Sequence, residues 1–169
     1  MAKLLYAFSC SIDGFIAGPG GDMSWLTPFL GPPPEGLLPR IGALLVGRRT
    51  YDGDDPHRGG PGEGQAFGGG WDGPQFVLTH RPAPPVSGVT FVGDLASAVS
   101  AAAAAAGDGY VNVLGADVAR QCLEAGVLDE ILALPVPVLL GDGVRVFDRP
   151  GGGTIELEHL RPNWYRVSR

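Results

Sequence analysis

The chain has 169 residues and a formal net charge of −6, with 18% charged and 44% hydrophobic residues. This length fits a single domain over residues 1–169, and the acidic balance argues against a nucleic-acid partner, because phosphate backbones attract basic surfaces. We expect no membrane span, since no apolar run reaches about 18 residues. We also expect no metal site, since the sequence contains no CxxC motif and no Cys/His spacing typical of zinc sites.

Glycine and proline are unusually frequent, with 28 and 16 residues respectively. Eleven of them fall within residues 18–39 and twelve within residues 53–74. The high hydrophobic content and low charge argue against disorder. The composition therefore predicts a globular domain interrupted by two Gly/Pro-rich loops, and long loops in a compact domain are often functional.

The N-terminal segment 3–9 predicts a buried strand rather than a signal peptide. Cys10 and Cys122 lie far apart and form no CxxC motif. We therefore expect a cytoplasmic protein with two free thiols, and we place Cys122 on the apolar face of a helix.

Further short apolar runs predict strands at residues 43–47, 75–79, 89–92 and 110–114. Two helices are also predicted. The first, at residues 94–106, lies between the last two of these strands, and the second, at residues 116–125, follows the last strand. Asp94 is the expected N-cap of the first helix, and Gly107 and Gly126 are the expected stop signals.

The C-terminal third contains no helix signal. Residues 129–140 are expected to be extended, because Pro135 and Pro137 exclude a helix. Residues 154–160 and 163–168 predict two more strands, the first with one wet face. The alternation of strands and helices up to residue 126 indicates an α/β fold, a mostly parallel sheet with an antiparallel C-terminal edge.

Ligands of such sheets bind at the carboxyl ends of the parallel strands. Gly47, Arg48 and Thr50 follow one predicted strand, and a glycine, a forked cation and a hydroxyl together suit a phosphate group. The alternative is a solvated turn. Thr79, His80 and Arg81 form a second hydroxyl-and-cation cluster after the next strand, where Pro82 also signals a simple turn.

Two other strand ends carry candidate residues. Gly115 and Ala116 open a helix whose first N–H groups favour an anion, although Asp117 is an alternative cap for that helix. Asp13 stands after the first strand, where it either positions a substrate, carries a proton, or forms an Asp-Gly turn. Neither a Rossmann fingerprint nor a Walker A sequence is present. Trp71, in the second loop, either closes over a ligand or anchors the loop.

These pieces together resemble the dihydrofolate reductase superfamily, and most closely the reductase (C-terminal) domain of the bifunctional riboflavin-biosynthesis deaminase-reductase. The resemblance is collinear over residues 3–148. The matching blocks are residues 11–18 (SIDGFIAG), 22–26 (DMSWL), 45–51 (LVGRRTY), 76–82 (FVLTHRP), 113–116 (VLGA), 125–131 (AGVLDEI) and 137–141 (PVLLG).

The resemblance implies a three-layer dihydrofolate-reductase-like fold that binds NADPH across the strand ends. It places the cofactor phosphates beside Gly47, Arg48 and Thr50, and the adenosine 2′-phosphate near Thr79, His80 and Arg81. It places the pyrophosphate along Gly115, Ala116, Asp117, Val118 and Ala119. It places the nicotinamide beside Ile16 and Ala17, and the substrate beside Asp13, Asp22, Trp25 and Leu26.

The chain departs from the family pattern at three points. Ala116 stands where the family usually has a second glycine, and in dihydrofolate reductases that pair carries a cis peptide. No acid follows Trp25 until Glu35, so a carboxylate clamp on a pterin is not supported. The HxE and PCxxC motifs of a deaminase are absent.

The leading hypothesis is an NADPH-dependent reductase that transfers hydride to a pyrimidine- or pterin-like heterocycle. A proton must reach the substrate from Asp13, Asp22 or water. Asp13 is the first choice, on the condition that burial raises its pKa. The alternatives are a non-catalytic nucleotide-binding module and a dimeric scaffold. The resemblance also implies a homodimer, and the two loops are expected to wall the substrate pocket.

Overall fold

The computed structural model describes residues 1–169, which form ten strands and three α-helices. The strands are β1 (Lys3–Cys10), β2 (Phe15–Ala17), β3 (Ile41–Gly47), β4 (Gln75–Leu78), β5 (Val89–Val92), β6 (Tyr110–Leu114), β7 (Glu130–Pro135), β8 (Val144–Arg145), β9 (Leu157–Arg161) and β10 (Trp164–Val167). The helices are α1 (Arg48–Tyr51), α2 (Leu95–Ala106) and α3 (Ala116–Glu124). No helix combines the length and the apolar character that crossing a bilayer requires.

Eight strands form one sheet in the order β5-β4-β3-β6-β1-β7-β10-β9, and β2 pairs with β8 in a separate ribbon. The six strands from β5 to β7 are parallel to one another. Strand β10 runs antiparallel to both β7 and β9. The predicted α/β class, with a mostly parallel sheet and an antiparallel C-terminal edge, is therefore confirmed.

Helices α2 and α3 cover one face of the sheet. Ala98 and Ala102 of α2 and Cys122 of α3 are fully buried there, against alternate residues of the central strands such as Val111 and Val113. The Asp94 carboxylate accepts a hydrogen bond from the Ser97 N–H at 2.8 Å, which confirms the predicted N-cap. Burial raises the pKa of the Cys122 thiol to about 12, as expected for a core residue.

The two Gly/Pro-rich loops cover the other face. Leu37 and Leu38 from residues 18–39 and Phe67 and Trp71 from residues 53–74 pack on the second apolar cluster, which includes Leu44 of β3. The Trp71 indole N–H donates to the Ile41 carbonyl at 2.9 Å. Trp71 therefore anchors its loop to the sheet, and the third layer of the fold consists of loop rather than helix.

The structure differs from the predicted elements at the short strands and at the C-terminal edge. Strands β2 and β8 were not predicted, because two or three residues are too few to show a period. Residues 136–140 contain no regular strand. Leu157 of β9 is 45% exposed, whereas Ile155 is partly buried against the core, so the expected apolar face of this segment is buried only in part.

Candidate active site

Four candidate segments lie side by side at the carboxyl edge of the sheet. Thr79 follows β4, Gly47 ends β3, Gly115 follows β6 and Asp13 lies just beyond β1, and these strands are neighbours in that order. Pairing of β3 with β4 and β6 places the first three segments next to one another. The parallel sheet thus brings together the separate clusters that the sequence analysis identified.

Arg48, Asp52, Thr79 and Arg81 form one connected group. The Arg48 Nε donates to Asp52 Oδ2 at 2.7 Å, and a terminal nitrogen of Arg81 approaches the same oxygen at 3.3 Å. The Nη1 atom of Arg48 lies 3.5 Å from Thr79 Oγ1, and the central carbon of its guanidinium lies 5.8 Å from the centre of the Phe91 ring. The arrangement places two cations around a single carboxylate oxygen, and the Thr79 hydroxyl lies against the first of these cations.

Thr79 fixes the backbone of its own cluster. Its side chain is buried, and its Oγ1 accepts a hydrogen bond from the Arg81 N–H at 3.1 Å. The Arg81 side chain is 65% exposed and that of Arg48 only 21% exposed. His80, which lies between Thr79 and Arg81 in the sequence, is exposed. Arg48 is therefore a fixed cation, whereas Arg81 and His80 remain accessible from solvent.

Gly115 makes the closest backbone approach at this edge. Its φ is +108°, and a Cβ at this position would lie 2.5 Å from Thr50 Oγ1. No peptide bond of the chain is cis, so the Gly115–Ala116 bond is trans. Only glycine fits between Thr50 and the start of α3, because the Thr50 hydroxyl fills the space that a Cβ would occupy.

The first turn of α3 offers backbone groups rather than side chains. Val118 and Ala119 are buried in the core, so their side chains are not available to a ligand at this edge. The Ala119 N–H donates to the Gly115 carbonyl at 3.1 Å, which leaves the N–H groups of residues 116–118 without an i→i−4 partner in the helix. The Asp117 carboxylate makes no cap hydrogen bond, and the proposed alternative role as a cap is wrong. It accepts instead from Arg120 at 2.7 Å and Gln121 at 2.8 Å, and the Arg120 hydrogen bond lowers the pKa of Asp117.

Asp13 holds the end of β1 to a distant turn. Its two carboxylate oxygens accept hydrogen bonds from the Leu140 N–H at 3.1 Å and the Gly141 N–H at 2.7 Å. A hydrogen bond from the Ser11 hydroxyl, followed by those from the two backbone groups, lowers the pKa of Asp13 to about 2. The condition that burial raises this pKa is therefore not met, since hydrogen bonding outweighs burial, and Asp13 is an anion at neutral pH.

Ile16 and Ala17 lie in the ribbon of β2 and β8. Ala17 is buried and Ile16 is partly exposed. A Cβ on Gly143 would lie only 2.0 Å from the Ala17 carbonyl oxygen, so the two strands are in tight contact. The Ser11 hydroxyl also accepts from the Phe15 N–H at 3.0 Å. The segment beside the predicted nicotinamide position is thus firmly held.

The first loop carries the remaining candidates. Asp22 is exposed, and its carboxylate accepts from the N–H and hydroxyl of Ser24 at 3.1 and 3.0 Å. Leu26 is buried. The indole nitrogen of Trp25 is also buried but has no hydrogen-bond partner in the protein. An unpaired buried donor is costly in a folded protein, and a ligand acceptor would satisfy it.

Two acids that organise the site were not predicted from the sequence. Asp52 joins Arg48 to Arg81, and its position four residues after Arg48 in a helical turn was a readable signal. Asp54 accepts from the Met23 N–H at 3.0 Å and so joins the two loops. Nothing in the sequence pattern signals that second contact, because it joins two irregular segments.

A shallow depression also lies at the amino end of the parallel strands, lined by residues such as Lys3, Arg40 and Asp108. The chain's own N-terminal ammonium pairs with Asp108 there at 2.6 Å. Ligands of open parallel sheets bind at the opposite edge. We therefore place the site at the carboxyl edge, where the candidate residues converge.

Comparison with known families shows which family the chain belongs to. The family described as the RibD C-terminal domain matches residues 2–163. The chain belongs to this family. Membership confirms the resemblance to the riboflavin-biosynthesis reductase domain and supports an oxidoreductase of the pyridine-nucleotide-dependent class. No curated protein sequence matches the chain.

Solved structures share the fold. A protein from Shewanella sp. PV-4, described as a riboflavin biosynthesis protein, is 23% identical with a TM-score of 0.68, and the match covers 100% of both chains. RibD from Acinetobacter baumannii is 16% identical with a TM-score of 0.66, over 99% of this chain and 57% of the other.

A Thermotoga maritima diaminohydroxyphosphoribosylaminopyrimidine deaminase/5-amino-6-(5-phosphoribosylamino)uracil reductase is 20% identical with a TM-score of 0.61. The match covers 98% of this chain and 55% of that one. The chain therefore spans a little over half of the length of these two longer relatives, and the likeness concerns the fold.

Proposed function

We propose that the chain is an NADPH-dependent reductase that transfers hydride to a pyrimidine- or pterin-like heterocycle. The observation that carries the proposal is the convergence of three anion-binding elements on neighbouring strands. Gly47 ends β3 and Arg48 follows it, Thr79 and Arg81 follow β4, and the first turn of α3 follows Gly115. A dinucleotide with phosphates along its length matches such a row of sites.

The residues present fit the phosphate groups of the cofactor. The first-turn N–H groups of α3 and the backbone at Gly115 would hold the pyrophosphate, because N–H groups at a helix N-terminus have no partner within the helix. Arg48, Thr79 and Arg81 would hold the 2′-phosphate through charge-assisted hydrogen bonds. Gly47 and Thr50 lie between these two groups.

The bound cofactor would supply a hydride from its nicotinamide ring. Ile16 and Ala17 would flank that ring, and the tight β2–β8 ribbon would fix its position and exclude water. The Asp13 anion would hold the turn at Leu140 and orient the substrate. Because its pKa is so low, Asp13 does not deliver the proton at neutral pH, and Asp22 and water are the remaining sources.

The substrate would lie between these strand ends and the two loops. Trp25 would donate its unpaired indole N–H to a carbonyl oxygen of the heterocycle, and Leu26 would pack behind it. The uracil reductase name of the Thermotoga relative supports a pyrimidine over a pterin. The absence of an acid close after Trp25 supports the same choice.

We also propose a cytoplasmic homodimer built from the single domain of residues 1–169. Ile12 and Leu139 support an apolar contact surface, because they are 63% and 71% exposed on neighbouring segments. These segments are joined by the hydrogen bond from the Ile12 N–H to the Val138 carbonyl at 2.9 Å. Sedimentation equilibrium of the wild type and of Leu139→Lys tests this, and a monomeric wild type contradicts it.

The main proposal is tested in two steps. The first measures how NADPH protects the protein against thermal unfolding, and the second measures oxidation of NADPH with candidate substrates. Millimolar NADPH should raise the Tm of the wild type, and Arg48→Ala should abolish most of that increase. Arg166→Ala is the matched control, since Arg166 pairs with Glu158 at the far edge of the sheet. No Tm increase with NADPH or NADH contradicts the proposal. Binding without oxidation of NADPH by any pyrimidine or pterin substrate favours the non-catalytic module instead.

A further inference from the structure

Asp52 forms ion pairs with both cations of the proposed phosphate site through one oxygen atom. Its Oδ2 lies 2.7 Å from Arg48 Nε and 3.3 Å from Arg81. The carboxylate therefore occupies the position where a phosphate oxygen would meet the two guanidinium groups. Neither composition nor the family match assigns a role to this residue.

The charge of the site depends on this carboxylate. Two guanidinium groups and one carboxylate leave a net charge of about +1, whereas the guanidinium groups alone carry about +2. A phosphate monoester brings about −1.5 to −2 charges near neutral pH. It must therefore compete with Asp52 for the same donors and also approach a like charge.

The structure allows Asp52 to leave without disturbing its partners. Its side chain is 42% exposed, while its backbone N–H stays bonded to the Arg48 carbonyl at 3.0 Å. Arg48 keeps two other neighbours, the Thr79 hydroxyl and the Phe91 ring. A rotation of one exposed side chain would thus open the cation pair, and the arginine that lies deepest would remain in place.

We propose that Asp52 is an internal competitor that sets how strongly the site discriminates between phosphorylated and unphosphorylated dinucleotides. The inference rests on the proposed function, since it concerns the same cofactor site. A dinucleotide without the 2′-phosphate leaves the Arg48–Asp52–Arg81 contacts intact, and its ribose hydroxyl can donate to the carboxylate. A dinucleotide with the phosphate must displace Asp52 before it gains the arginines.

The test is the ratio of the Kd values for NADPH and NADH, measured by fluorescence titration. Asp52→Asn should lower the Kd for NADPH by about fivefold or more, because a like charge a few ångströms away is removed. It should leave the Kd for NADH unchanged or raise it. Glu158→Gln is the matched control, since it removes one negative charge from an ion pair on the far edge strand and should change neither Kd.

A double variant separates competition from a structural effect. The gain from Asp52→Asn should shrink when Arg81 is also replaced by alanine, because the released cation is then missing. Equal changes in both Kd values, or weaker NADPH binding by Asp52→Asn, overturn the inference while leaving the proposed function intact. Failure of the wild type to bind either dinucleotide overturns both.

Discussion

The backbone N–H of Met23 donates a hydrogen bond to the Asp54 carboxylate at 3.0 Å, and so ties the first Gly/Pro-rich loop to the second. The Thr27 hydroxyl makes a second tie to the Pro56 carbonyl at 2.9 Å. These two contacts flank the short turn that carries Trp25 and Leu26. The position of the proposed substrate residues therefore depends on both loops together.

Breaking this tie should loosen the proposed substrate site without removing any of its residues. We expect Asp54→Ala combined with Thr27→Val to raise KM for the substrate by about fivefold to a hundredfold, the effect of losing two hydrogen bonds. The Kd for NADPH should stay unchanged. Steady-state kinetics and limited proteolysis of residues 18–39 measure the effect, and Thr90→Val on the exposed β5 edge is the control. Unchanged KM and proteolysis would show that the tie is dispensable.

Gly115 and Gly47 should respond differently to the same substitution. Gly115→Ala should destabilise the fold by about 1–2 kcal/mol or more, because an alanine at positive φ is strained and its Cβ overlaps Thr50. Gly47→Ala should leave stability within about 0.5 kcal/mol, since its φ is −71° and the nearest atom to the added Cβ is 3.6 Å away.

The same Gly47→Ala variant tests close approach of the cofactor. If the backbone contacts a phosphate there, the added methyl group should raise the Kd for NADPH by about tenfold, the usual effect of overpacking. Urea unfolding and NADPH titration of both glycine variants give the two readouts. An unchanged Kd in Gly47→Ala would place the phosphates elsewhere.

The low pKa of Asp13 predicts how activity depends on pH. Because this pKa is about 2, the carboxylate stays ionised across the range from about pH 4 to 9, and Asp13 should contribute no ionisation to kcat/KM there. Asp13→Asn should lower kcat/KM by about tenfold to a hundredfold, since one amide oxygen cannot serve both Leu140 and Gly141 and the site shifts.

Asp142→Asn is the matched control for Asp13, because Asp142 lies in the same turn and its carboxylate accepts only from the Gly143 N–H. It should keep most of the activity. A fall in kcat/KM of the wild type as pH rises through about 5 to 7, absent in Asp13→Asn, would show instead that Asp13 must be protonated and delivers the proton.

Glu130 on β7 links stability to pH. It is 3% exposed and accepts hydrogen bonds from Trp164 at 2.7 Å, Tyr110 at 2.8 Å and Lys3 at 2.9 Å. Burial alone would raise the pKa of Glu130, but these three hydrogen bonds outweigh it and hold the pKa below its usual value. Its contribution to stability is therefore present above about pH 4.3 and is lost as pH falls through the lower, folded-state pKa.

Glu130→Gln should lower the free energy of unfolding at pH 7 by about 1–3 kcal/mol, since a buried charged acceptor is lost. Its stability should also fall less steeply than that of the wild type below pH 4.3. Urea unfolding at a series of pH values measures both effects, with the exposed Glu158→Gln as control. Parallel curves for the wild type and Glu130→Gln would contradict the linkage.

The sequence predicted the central strands and the two long helices because each has a local signal. The strands are uniform apolar runs, and α2 begins and ends at the expected cap residues. The β2–β8 ribbon could not be predicted, since its strands are too short to show a period and pair across more than 120 residues. The covering of the second face of the sheet by the two loops could not be predicted either, because the apolar residues of these loops are scattered among glycines and prolines.

The sequence predicted which strand ends form the candidate site, but it did not predict the contacts among their side chains. Strand ends of a parallel sheet meet at one edge, so the cofactor clusters followed from the order of the elements. The low pKa of Asp13 did not follow from the sequence. Its largest cause is the hydrogen bond from the nearby Ser11 hydroxyl, which depends on the local geometry, and its two backbone donors lie 127 and 128 residues away. The shared use of Asp52 by Arg48 and Arg81 likewise required the spatial pairing of β3 with β4.

The loop cover of the sheet has a consequence for how this protein can evolve. Phe67 and Trp71 cover the core, and they belong to a loop that also borders the proposed substrate site. In most enzymes surface loops accept insertions and new binding residues at little thermodynamic cost. Here a change that adapts a loop to another substrate also alters the packing of the core, so new specificity should arise together with compensating mutations that restore stability.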